Sequence, residues 1–511
     1  MKVADALDFG KSNRVEELAG DLVEFVRKAA VEGRELHSVE RGILDALLEM
    51  GHVVMNQFLR QQGNGDLGGT IESADGDVAF RSAETAQRTF RTMFGLHEIE
   101  VFVYRKGKHP NTPIVFRPID ARLGVSTAQW SPLLQETTQI LAVEQSFDGA
   151  AESFERIFRQ RLSVDTMETV NQQLGIEAAA YFEDLPVPPK SEEGTVLVET
   201  GDGKGVPLVK ADAQRLAAFE ERPVRPGNRR MATLAAVYSV DRHIRTPEDI
   251  VAALFRDPEE MYRTGRVKRP VPCHKQIIAR FPAPIVDLDP TLPVSGTIHA
   301  FGWAAQQVLQ RRRPGQELVC LGDGQKSLWD TMASFQGDEE DAKRVEILDV
   351  LHASGYVWRA AKVFHTHKEP QEAFARDYLL RILQGKTKQV VVSLRARARR
   401  CQLTRAEKKE ITTVCRYFTT NAARMRYNEY LAKGYPIATG VIEGACRHLV
   451  KDRMERTGMR WTQANAQAML DVRALYQSSY WDELQAGRAT TARTRYGAFL
   501  HLLPDLKTLS V

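Results

Sequence analysis

The chain has 511 residues, 43% of them apolar and 27% charged, which is the composition of a globular protein too long for one ordinary domain. Its formal net charge of +4 is small for this length, so any role on nucleic acid must come from local basic clusters. The five cysteines contain no Cys-x-x-Cys pair, which argues against a zinc ribbon or a disulfide framework and fits a reducing cytoplasm. No apolar run of about 18 residues is present, so we expect no membrane span and no membrane partner.

Residues 1–130 are predicted to form a helical region followed by a small β region. Residues 14–62 place apolar side chains at helical spacing and predict two amphipathic helices. Residues 76–118 read as a small β region, in which Ile99, Val101 and Val103 indicate a half-buried strand.

Residues 131–184 predict a helix-turn-helix. Its two helices, SFDGAAESFERIFRQ and VDTMETVNQQLGI, are separated by Arg161-Leu162-Ser163, and Ser163 can cap the second helix. Polar residues of that second helix would face outward, as in a recognition helix, and the candidates for DNA contact are Thr166, Thr169 and Gln172. Two helices of any bundle would give the same pattern, and the second helix is not basic.

The stretch 185–194 (LPVPPKSEEG) is proline-rich and then charged, and it predicts a linker. After it, strands alternate with helices. TVLVETGDGKGVPLV predicts a strand, a Gly-rich turn and a second strand, and RMATLAAVYSVDRHI predicts a third strand. Residues 293–313 predict a helix, ELVCLGDGQKSLW a fourth strand, and RVEILDVLHASGYVW a fifth strand running into a helix. This order is that of an RNase H-like α/β domain, whose first part we place at 195–359.

A helical insertion is predicted at 360–435. It contains a basic cluster, which consists of Arg395, Arg397, Arg399, Arg400, Arg405, Lys408 and Lys409. The final helix of the catalytic domain is predicted within 436–480, and residues 481–511 are predicted as a C-terminal tail.

Three acids are candidates for catalysis. Asp202 and Asp323 are each predicted to end an apolar strand, and Glu443 lies near the start of a later helix. Their carboxylate oxygens are the ligands that Mg²⁺ prefers, and the set predicts a site for two Mg²⁺ or Mn²⁺ ions about 4 Å apart. Taken singly, each Asp-Gly is more often a turn, and Asp241 is a competing acid at another predicted strand end.

Basic residues follow Glu443 along its predicted helix. Arg447 and Lys451 come at i+4 and i+8, on the side of the acid, where they could bring a phosphate to the carboxylate. The segment ends in Gly-Met-Arg-Trp, which makes Arg460 and Trp461 further candidates for DNA contact. A solvated charged face is the alternative interpretation of this helix.

Five blocks of sequence carry a resemblance to a known family. They are DGKGVP around Asp202, RMATLAAVYSVDR with TPEDIV after it, LGDGQKSLW around Asp323, ILDVLHASGYVW, and RMRYNEYLAKGYPIATGVIEGACRHLVKDRMERTGMRW. Through these blocks, from about residue 195 to 475, the chain resembles bacterial insertion-sequence DDE transposases of the ISKra type, which are distantly related to the Mutator and hAT transposases. The N-terminal portion matches more loosely, through the helix-turn-helix.

The resemblance implies a function and a set of site residues. Asp202, Asp323 and Glu443 would be the catalytic triad and the metal ligands, and Asp349 and His352 would be an Asp-x-x-His pair near the active site. The protein would bind the terminal inverted repeats of an insertion sequence and catalyse Mg²⁺-dependent strand cleavage and strand transfer. Its partners would be transposon-end DNA and target DNA, bound by a homodimer or larger assembly in the bacterial cytoplasm, at the nucleoid.

Two features qualify the resemblance. Trp358 and Trp461 match aromatic positions of the same blocks; stacking on a flipped base is an analogy for both, and core packing is favoured for Trp358. Several family members carry a Cys-x-x-Cys zinc motif in the N-terminal region, but this chain has no cysteine before Cys273, so its N-terminal region must fold without that zinc.

Two other functions fit part of the pattern. A catalytically silent DNA-binding regulator, derived from a transposase, would use the helix-turn-helix alone, although all three acids are present. A glycosidase would use two of the acids as general acid and nucleophile, and the basic helix after Glu443 argues against it.

Overall fold

The computed structural model describes residues 13–217, 227–257, 269–285, 289–336, 344–456 and 458–503, and the fold is mixed α/β. The chain divides into two compact units. The first contains residues 1–170 together with 481–511, and the second contains residues 171–480.

The first unit begins with the two predicted helices, α1 (Asn13–Glu32) and α2 (Leu36–Gln61). Its strands form an antiparallel sheet and a separate hairpin. The sheet contains, in spatial order, β1 (Thr70–Glu72), β2 (Val78–Arg81), β5 (Tyr104–Arg105) and β6 (Ile114–Phe116), and the hairpin joins β3 (Ala86–Thr92) to β4 (Gly95–Val101). Along β4 every second residue from His97 is buried, which confirms the predicted half-buried strand at Ile99 and Val101, whereas Val103 is buried beyond the end of β4.

Four helices follow these strands. They are α3 (Pro118–Leu123), α4 (Pro132–Glu144), α5 (Phe147–Phe158) and α6 (Val164–Glu183). The α5–α6 pair lies where the helix-turn-helix was predicted, and the Ser163 hydroxyl accepts a hydrogen bond from the Thr166 amide at 3.3 Å. Residues 185–194 contain neither helix nor strand.

The C-terminal segment is part of the core of the first unit. The helix Trp481–Thr494 is followed by a 3-10 turn, Gly497–Leu502. Phe499 stacks on Phe116 of β6, with ring centroids 5.0 Å apart, and Tyr496 meets the same ring edge-on at 5.7 Å.

A five-stranded sheet organises the second unit. Its strands are β7 (Val196–Pro207), β8 (Arg229–Val240), β9 (Cys273–Arg280), β12 (Leu318–Gly322) and β13 (Arg344–Leu348), in the spatial order β13-β12-β7-β8-β9. The neighbours β7, β8 and β9 are antiparallel, whereas β12 is parallel to both β7 and β13. A small hairpin of β10 (Ala283–Ile285) and β11 (Asp289–Val294) lies outside this sheet.

Two predictions for these strands were wrong. The stretch predicted as strand, turn and strand is the single strand β7, because it pairs with β8 at all twelve positions and its glycines stay extended. The strand β9 was not predicted at all. It supplies the third antiparallel strand, so the number and order of strands still agree with the predicted sequence of elements.

The helices of the second unit follow in chain order. They are α7 (Lys210–Ala217), α8 (Pro247–Phe255), α9 (Gly296–Arg311), α10 (Lys326–Gln336), α11 (Val350–Phe364), α12 (Lys368–Leu383), α13 (Thr387–Arg400), α14 (Arg405–Thr420) and α15 (Tyr427–Ala432), and then α16 (Gly440–Ala445), a π-helix (Cys446–Lys451), α17 (Asp452–Met454) and α18 (Gln463–Gln477). Val198, Val319 and Ile347 of the sheet share one apolar core with Leu379 and Phe418 of the predicted insertion. The predicted insertion and the sheet therefore pack around one shared apolar core. Among the described residues, no helix combines the length and apolar character that crossing a bilayer requires.

Candidate active site at the edge of the sheet

Acidic residues gather at one edge of the five-stranded sheet. Asp323 follows the last residue of β12, and Asp349 follows the last residue of β13. These two strands end level with each other, since Gly322 pairs with Leu348. Because β7 runs parallel to β12, Asp202, two residues past the last β7–β12 pair, lies at the same edge.

The position of Asp202 differs from the prediction. It lies inside β7, opposite Leu234 of β8, and not at the end of the strand. The competing acid Asp241 lies at the opposite edge, because the end of β8 beside it pairs with Val196. Asp202 lies six residues along β7 from Val196, or about 20 Å at the rise of an extended chain. Asp241 instead accepts a hydrogen bond from the Thr195 amide at 3.1 Å.

Glu443 reaches this cluster from the first turn of α16. Burial raises the pKa of Glu443, and the negative charges of Asp349 and Asp202 raise it further. Burial also raises the pKa of Asp202, and the charge of Asp323 adds to that rise. The acids therefore repel one another across a common space.

Asp349 is fully buried and holds other groups in place. Its Oδ1 atom accepts hydrogen bonds from the amides of Leu351 at 3.1 Å and Thr439 at 3.3 Å. Its Oδ2 atom accepts from the amide of His352 at 3.3 Å and lies 3.0 Å from Nδ1 of the same residue. Asp349 thus caps α11, orients His352 and fixes the residue that precedes α16.

Asp349, His352 and Glu443 offer ligand atoms that all lie within 4.8 Å of one another. By distance alone they form a candidate metal cluster. However, the four acceptor positions of the Asp349 carboxylate are already occupied by hydrogen bonds. We therefore interpret Asp349 as the group that positions His352, in the way that carboxylates commonly orient histidines beside metals.

His352 is the basic side chain whose charge acts on both Asp202 and Glu443. The hydrogen bond to Asp349 raises the pKa of His352, burial opposes that rise, and the charges of Asp323 and Asp202 contribute to it. With Nδ1 directed to Asp349, Nε2 is left to face the acids or a ligand. One histidine cannot neutralise four carboxylates, so the site retains excess negative charge.

Asp202 and Asp323 belong to no cluster of three or more possible metal ligands within 4.8 Å among the described residues, but, with Glu443, they offer the hard oxygen atoms that a divalent cation prefers. Asp202 Oδ1 accepts the Gly203 amide at 2.7 Å, and Asp323 Oδ1 accepts the Gln325 amide at 2.8 Å. Each carboxylate keeps acceptor positions beyond these bonds, and three carboxylates are the donor set that Mg²⁺ or Mn²⁺ takes. Cys446 directs its thiol to Asp202 Oδ2 at 3.4 Å, a neighbour that the sequence analysis did not find.

Tyrosines of the helical insertion fix the chain around these acids. The Tyr417 hydroxyl of α14 donates to the Asp323 carbonyl at 2.7 Å, and the Tyr427 hydroxyl donates to the Leu348 carbonyl at 2.9 Å. Tyr417 also stacks on Tyr356 of α11, with ring centroids 3.7 Å apart and planes within 9°. Nothing in the sequence pattern marked these contacts, because they join segments that are far apart in the chain.

The helix after Glu443 departs from the predicted geometry. Residues Cys446–Lys451 form a π-helix, whose wider turn changes the angular spacing of the residues that follow. The predicted i+4 and i+8 alignment of Arg447 and Lys451 with Glu443 therefore does not hold along one α-helical face. Both cations are exposed, and Arg447 lies 3.9 Å from Asp452.

Trp461 is a core residue and was wrongly assigned to the DNA surface. Its side chain is only 5% exposed, and its indole N–H donates to the Met454 carbonyl at 3.3 Å. Its backbone bridges to Leu208, and the Arg453 guanidinium lies over its ring. The buried ring is not accessible to a base, whereas the neighbouring Arg460 is exposed. Trp358 is half-buried beside Phe255, as core packing requires.

The candidate DNA-reading residues of α6 are partly engaged within the protein. The Thr169 hydroxyl donates to the Asp165 carbonyl of the same helix at 2.9 Å, and the Gln172 amide is hydrogen-bonded to Asn465. Thr166 is half-buried. The helix carries four acidic residues and no basic residue, which is unfavourable next to DNA phosphates.

A cavity of about 290 Å³ adjoins the acids. It is lined by Leu351, His352, Gly355, Tyr356 and Arg359 of α11 and by Glu443. A larger cavity of about 670 Å³, lined by residues of α9 and α10 such as Leu309 and Phe335, contains none of the site acids. The smaller cavity is the one connected to the candidate chemistry.

No family model matches the chain, and no curated protein matches it. Among solved structures, the chain is similar to a chain of the Drosophila P element transposase strand transfer complex, with 9% sequence identity and a TM-score of 0.22. The match covers 70% of this chain and 82% of that chain. A TM-score of this size does not establish a shared fold.

Proposed function

We propose that the chain is a metal-dependent DNA transposase, which cleaves DNA at the ends of an insertion sequence and joins those ends to target DNA. One observation carries the proposal. Asp202, Asp323 and Glu443 come from three distant segments, and the fold brings them to one sheet edge as a repelling acidic group. Clustered carboxylates with raised pKa values, as at Asp202 and Glu443, are typical of functional sites.

The strand order supports an RNase H-like identity for the catalytic domain. Three antiparallel strands are followed by two strands parallel to the first, and helices connect the later strands. This is the order that the sequence analysis predicted for that fold. The helical insertion between β13 and α16 supports the predicted interruption of the domain before its last acid.

Asp202, Asp323 and Glu443 would hold the two proposed Mg²⁺ or Mn²⁺ ions. When bound, such ions neutralise the scissile phosphate and activate the attacking oxygen. Within the chain, Asp349 holds His352, and His352 can give or take a proton at a phosphate or leaving-group oxygen through Nε2. Water attacks the scissile phosphorus, and the bond to the 3′-oxygen breaks, which leaves a 3′-hydroxyl on one fragment and a 5′-phosphate on the other. That 3′-hydroxyl then attacks a phosphorus of the target strand, so that a new phosphodiester forms and a 3′-hydroxyl of the target is released. This sequence requires no covalent enzyme–DNA link.

We assign the DNA phosphate contacts mainly to exposed cations of the second unit. They include Arg447, Lys451, Arg460 and the basic cluster of α13 and α14, apart from Arg397, which is half-buried and bonds His365. The acidic composition of α6 makes it a weaker candidate for this contact. We further propose that the first unit recognises the ends of the element. Two or more copies of the chain would pair two such ends.

The test is strand cleavage and strand transfer on labelled DNA from the ends of the element, with Mg²⁺ or Mn²⁺. Asp202→Asn, Asp323→Asn and Glu443→Gln should each reduce cleavage by at least about 100-fold, since losing even an outer-shell partner of a metal costs about 10–100-fold. Asp241→Asn is the matched control, because it is the same change at the opposite sheet edge, and it should leave cleavage unchanged. The proposal would be contradicted if Asp323→Asn cleaved DNA as fast as the wild type, or if the wild type cleaved DNA equally well in the presence of a chelator.

A further inference from the structure

Gly355 occupies a position where glycine has no structural reason to be. It lies in the middle of α11, where glycine destabilises a helix relative to alanine. A Cβ atom on Gly355 would meet no atom within 4 Å, so no neighbouring element requires the missing side chain. The residue is exposed, and it lines the 290 Å³ cavity beside Glu443. A glycine that packing does not explain, next to a reactive site, indicates close approach of a ligand to the backbone.

The other lining residues define what that ligand is. Towards one end of the cavity His352 and Glu443 belong to the acidic site, and Arg359 lies about 10 Å along the helix from His352, seven residues away. The Arg359 guanidinium lies 4.5 Å over the Tyr356 ring, and its Nε atom donates to Glu410 at 2.5 Å. Because Tyr417 and Arg359 both lie against the Tyr356 ring, the planar surface left for a nucleobase is the outer face of the Arg359 guanidinium, and a guanidinium also binds phosphate.

We propose that this cavity binds the single nucleotide next to the scissile phosphate of a DNA strand. Gly355 allows the sugar or base to lie against the backbone of α11, and Arg359 contacts the base plane or the next phosphate. A volume of about 290 Å³ is close to the lower limit of ligand sites, about 300 Å³, and suits one nucleotide taken out of a duplex. The inference rests on the proposed function, because it uses Glu443 as part of the cleavage site.

The cavity is also connected to the position of Asp323. The Tyr356 ring, which lines the cavity, stacks on Tyr417, and the Tyr417 hydroxyl bonds the Asp323 carbonyl. A nucleotide held against Arg359 would therefore pack on the stack of Arg359, Tyr356 and Tyr417, and Tyr417 restrains the turn that carries a proposed metal ligand. Correct seating of the neighbouring nucleotide would then favour the geometry needed for cleavage.

The test compares glycine substitutions at two matched positions. Gly487 also lies inside a helix, is exposed, and has no atom within 4 Å of a Cβ position, but it belongs to the other unit. Alanine at either position should raise the melting temperature by about 2 °C, since alanine is the better helix former. Gly355→Leu should fill the cavity and lower DNA cleavage by about 100-fold. Gly487→Leu should cleave as the wild type does.

Binding separates this inference from the proposed function. The probe is a short labelled DNA strand, bound in Ca²⁺ so that cleavage does not interfere, and we expect Gly355→Leu and Arg359→Gln each to weaken its binding about 10-fold or more. If the wild type cleaves DNA and Gly355→Leu binds and cleaves equally well, this inference is wrong and the proposed function stands. If the wild type binds the strand without cleaving it, and Gly355→Leu loses that binding, the proposed function is wrong and this inference stands. No binding by the wild type, or tighter binding of an RNA strand of the same sequence, would overturn DNA as the occupant.

Discussion

The two units bury charged side chains in different ways. In the first unit Arg88 is buried beside Asp120, with Nε 2.9 Å from Oδ1, and it also donates to the Ser126 and Ala128 carbonyls. Burial still raises the pKa of Asp120, but the charge of Arg88 opposes that rise. In the second unit Asp202 and Glu443 have acids for neighbours, and His352 is the cation whose charge acts on both. In the first arrangement a buried cation faces the acid, although Asp120 Oδ2 has no hydrogen-bond partner among the described residues, whereas the second leaves negative charge for a cation to neutralise.

The largest effect should come from neutralising an acid of the second unit. Glu443→Gln should lower DNA cleavage by at least about 100-fold, because a direct metal ligand matters more than its outer-shell partners. The same change should leave the metal-free protein as stable as the wild type or slightly more stable, because it removes repulsion from Asp349 and Asp202. Urea unfolding in chelator and cleavage in Mg²⁺ measure the two effects. A variant that loses stability along with activity would show that the cluster is structural.

Removing the cation from the buried Arg88–Asp120 pair of the first unit should instead lower the stability of the protein. Arg88→Met leaves Asp120 buried without its partner, and it should lower the free energy of unfolding by about 3–5 kcal/mol. Arg156→Met is the control, because the Arg156–Glu152 pair is exposed and such pairs contribute about 0–1 kcal/mol. Equal unfolding midpoints for the two variants would contradict the contrast between the units.

The pH dependence of stability should also differ between the units. Burial lowers the pKa of His97 in the first unit to about 4, and the neighbouring His52 adds to this. The folded state therefore resists protonation, and stability present above pH 6.5 is lost as the pH falls towards 4, by about 3 kcal/mol in total. His97→Asn should reduce this loss of stability at low pH, which urea unfolding measures. If the variant lost as much stability at low pH as the wild type does, His97 would not be the cause of the pH dependence.

Glu199 in the second unit should make the stability of the protein fall as the pH rises. Burial raises its pKa to about 8, although Gln336 donates to its Oε2 atom at 3.0 Å. Its stabilising contribution is therefore complete below pH 4.5, and it is lost as the pH rises through 8. Glu199→Gln should flatten this loss, whereas Glu24→Gln on exposed α1 should not. If wild type and Glu199→Gln changed in stability equally between pH 4.5 and 8, the result would contradict a protonated Glu199.

The smallest effects should come from single exposed cations of the second unit. Removing one phosphate contact, by Arg447→Gln or Lys451→Gln, should reduce the slope of log affinity for DNA against log salt by about 1. Lys28→Gln in the first unit is the control and should leave the slope unchanged. Titrations over a range of salt concentrations measure it, and an unchanged slope for both variants would remove this helix from the proposed DNA surface.

Much of the fold follows from local sequence patterns. The apolar runs before Asp323 and Asp349 end where the strands end, and the helical spacing of residues 14–62 gives both long helices. The glycines of β7 predicted a turn that is not present, because pairing with β8 keeps the segment extended and places Asp202 within a strand. Local pattern cannot show which partner a segment will pair with.

The rest of the site depends on contacts between distant segments. Trp461 reads as an exposed end of a basic helix, but its bridge to Leu208 buries it. Asp349 reads as one half of a local pair with His352, yet its bond to Thr439 ties it to the segment that carries Glu443. The open space around Gly355 and the stacking of Tyr356 on Tyr417 have no sequence signal, because each is a property of the folded neighbourhood.

The central claim is that Asp202, Asp323 and Glu443 together bind the catalytic metal. Crystals soaked in Mn²⁺ and measured for anomalous scattering test it most directly. We predict anomalous peaks within about 2.0–2.5 Å of carboxylate oxygens of all three residues, and loss of those peaks in Glu443→Gln. A peak held by Asp349 and His352 without Asp202 and Asp323, or no peak at this edge of the sheet, would contradict the claim.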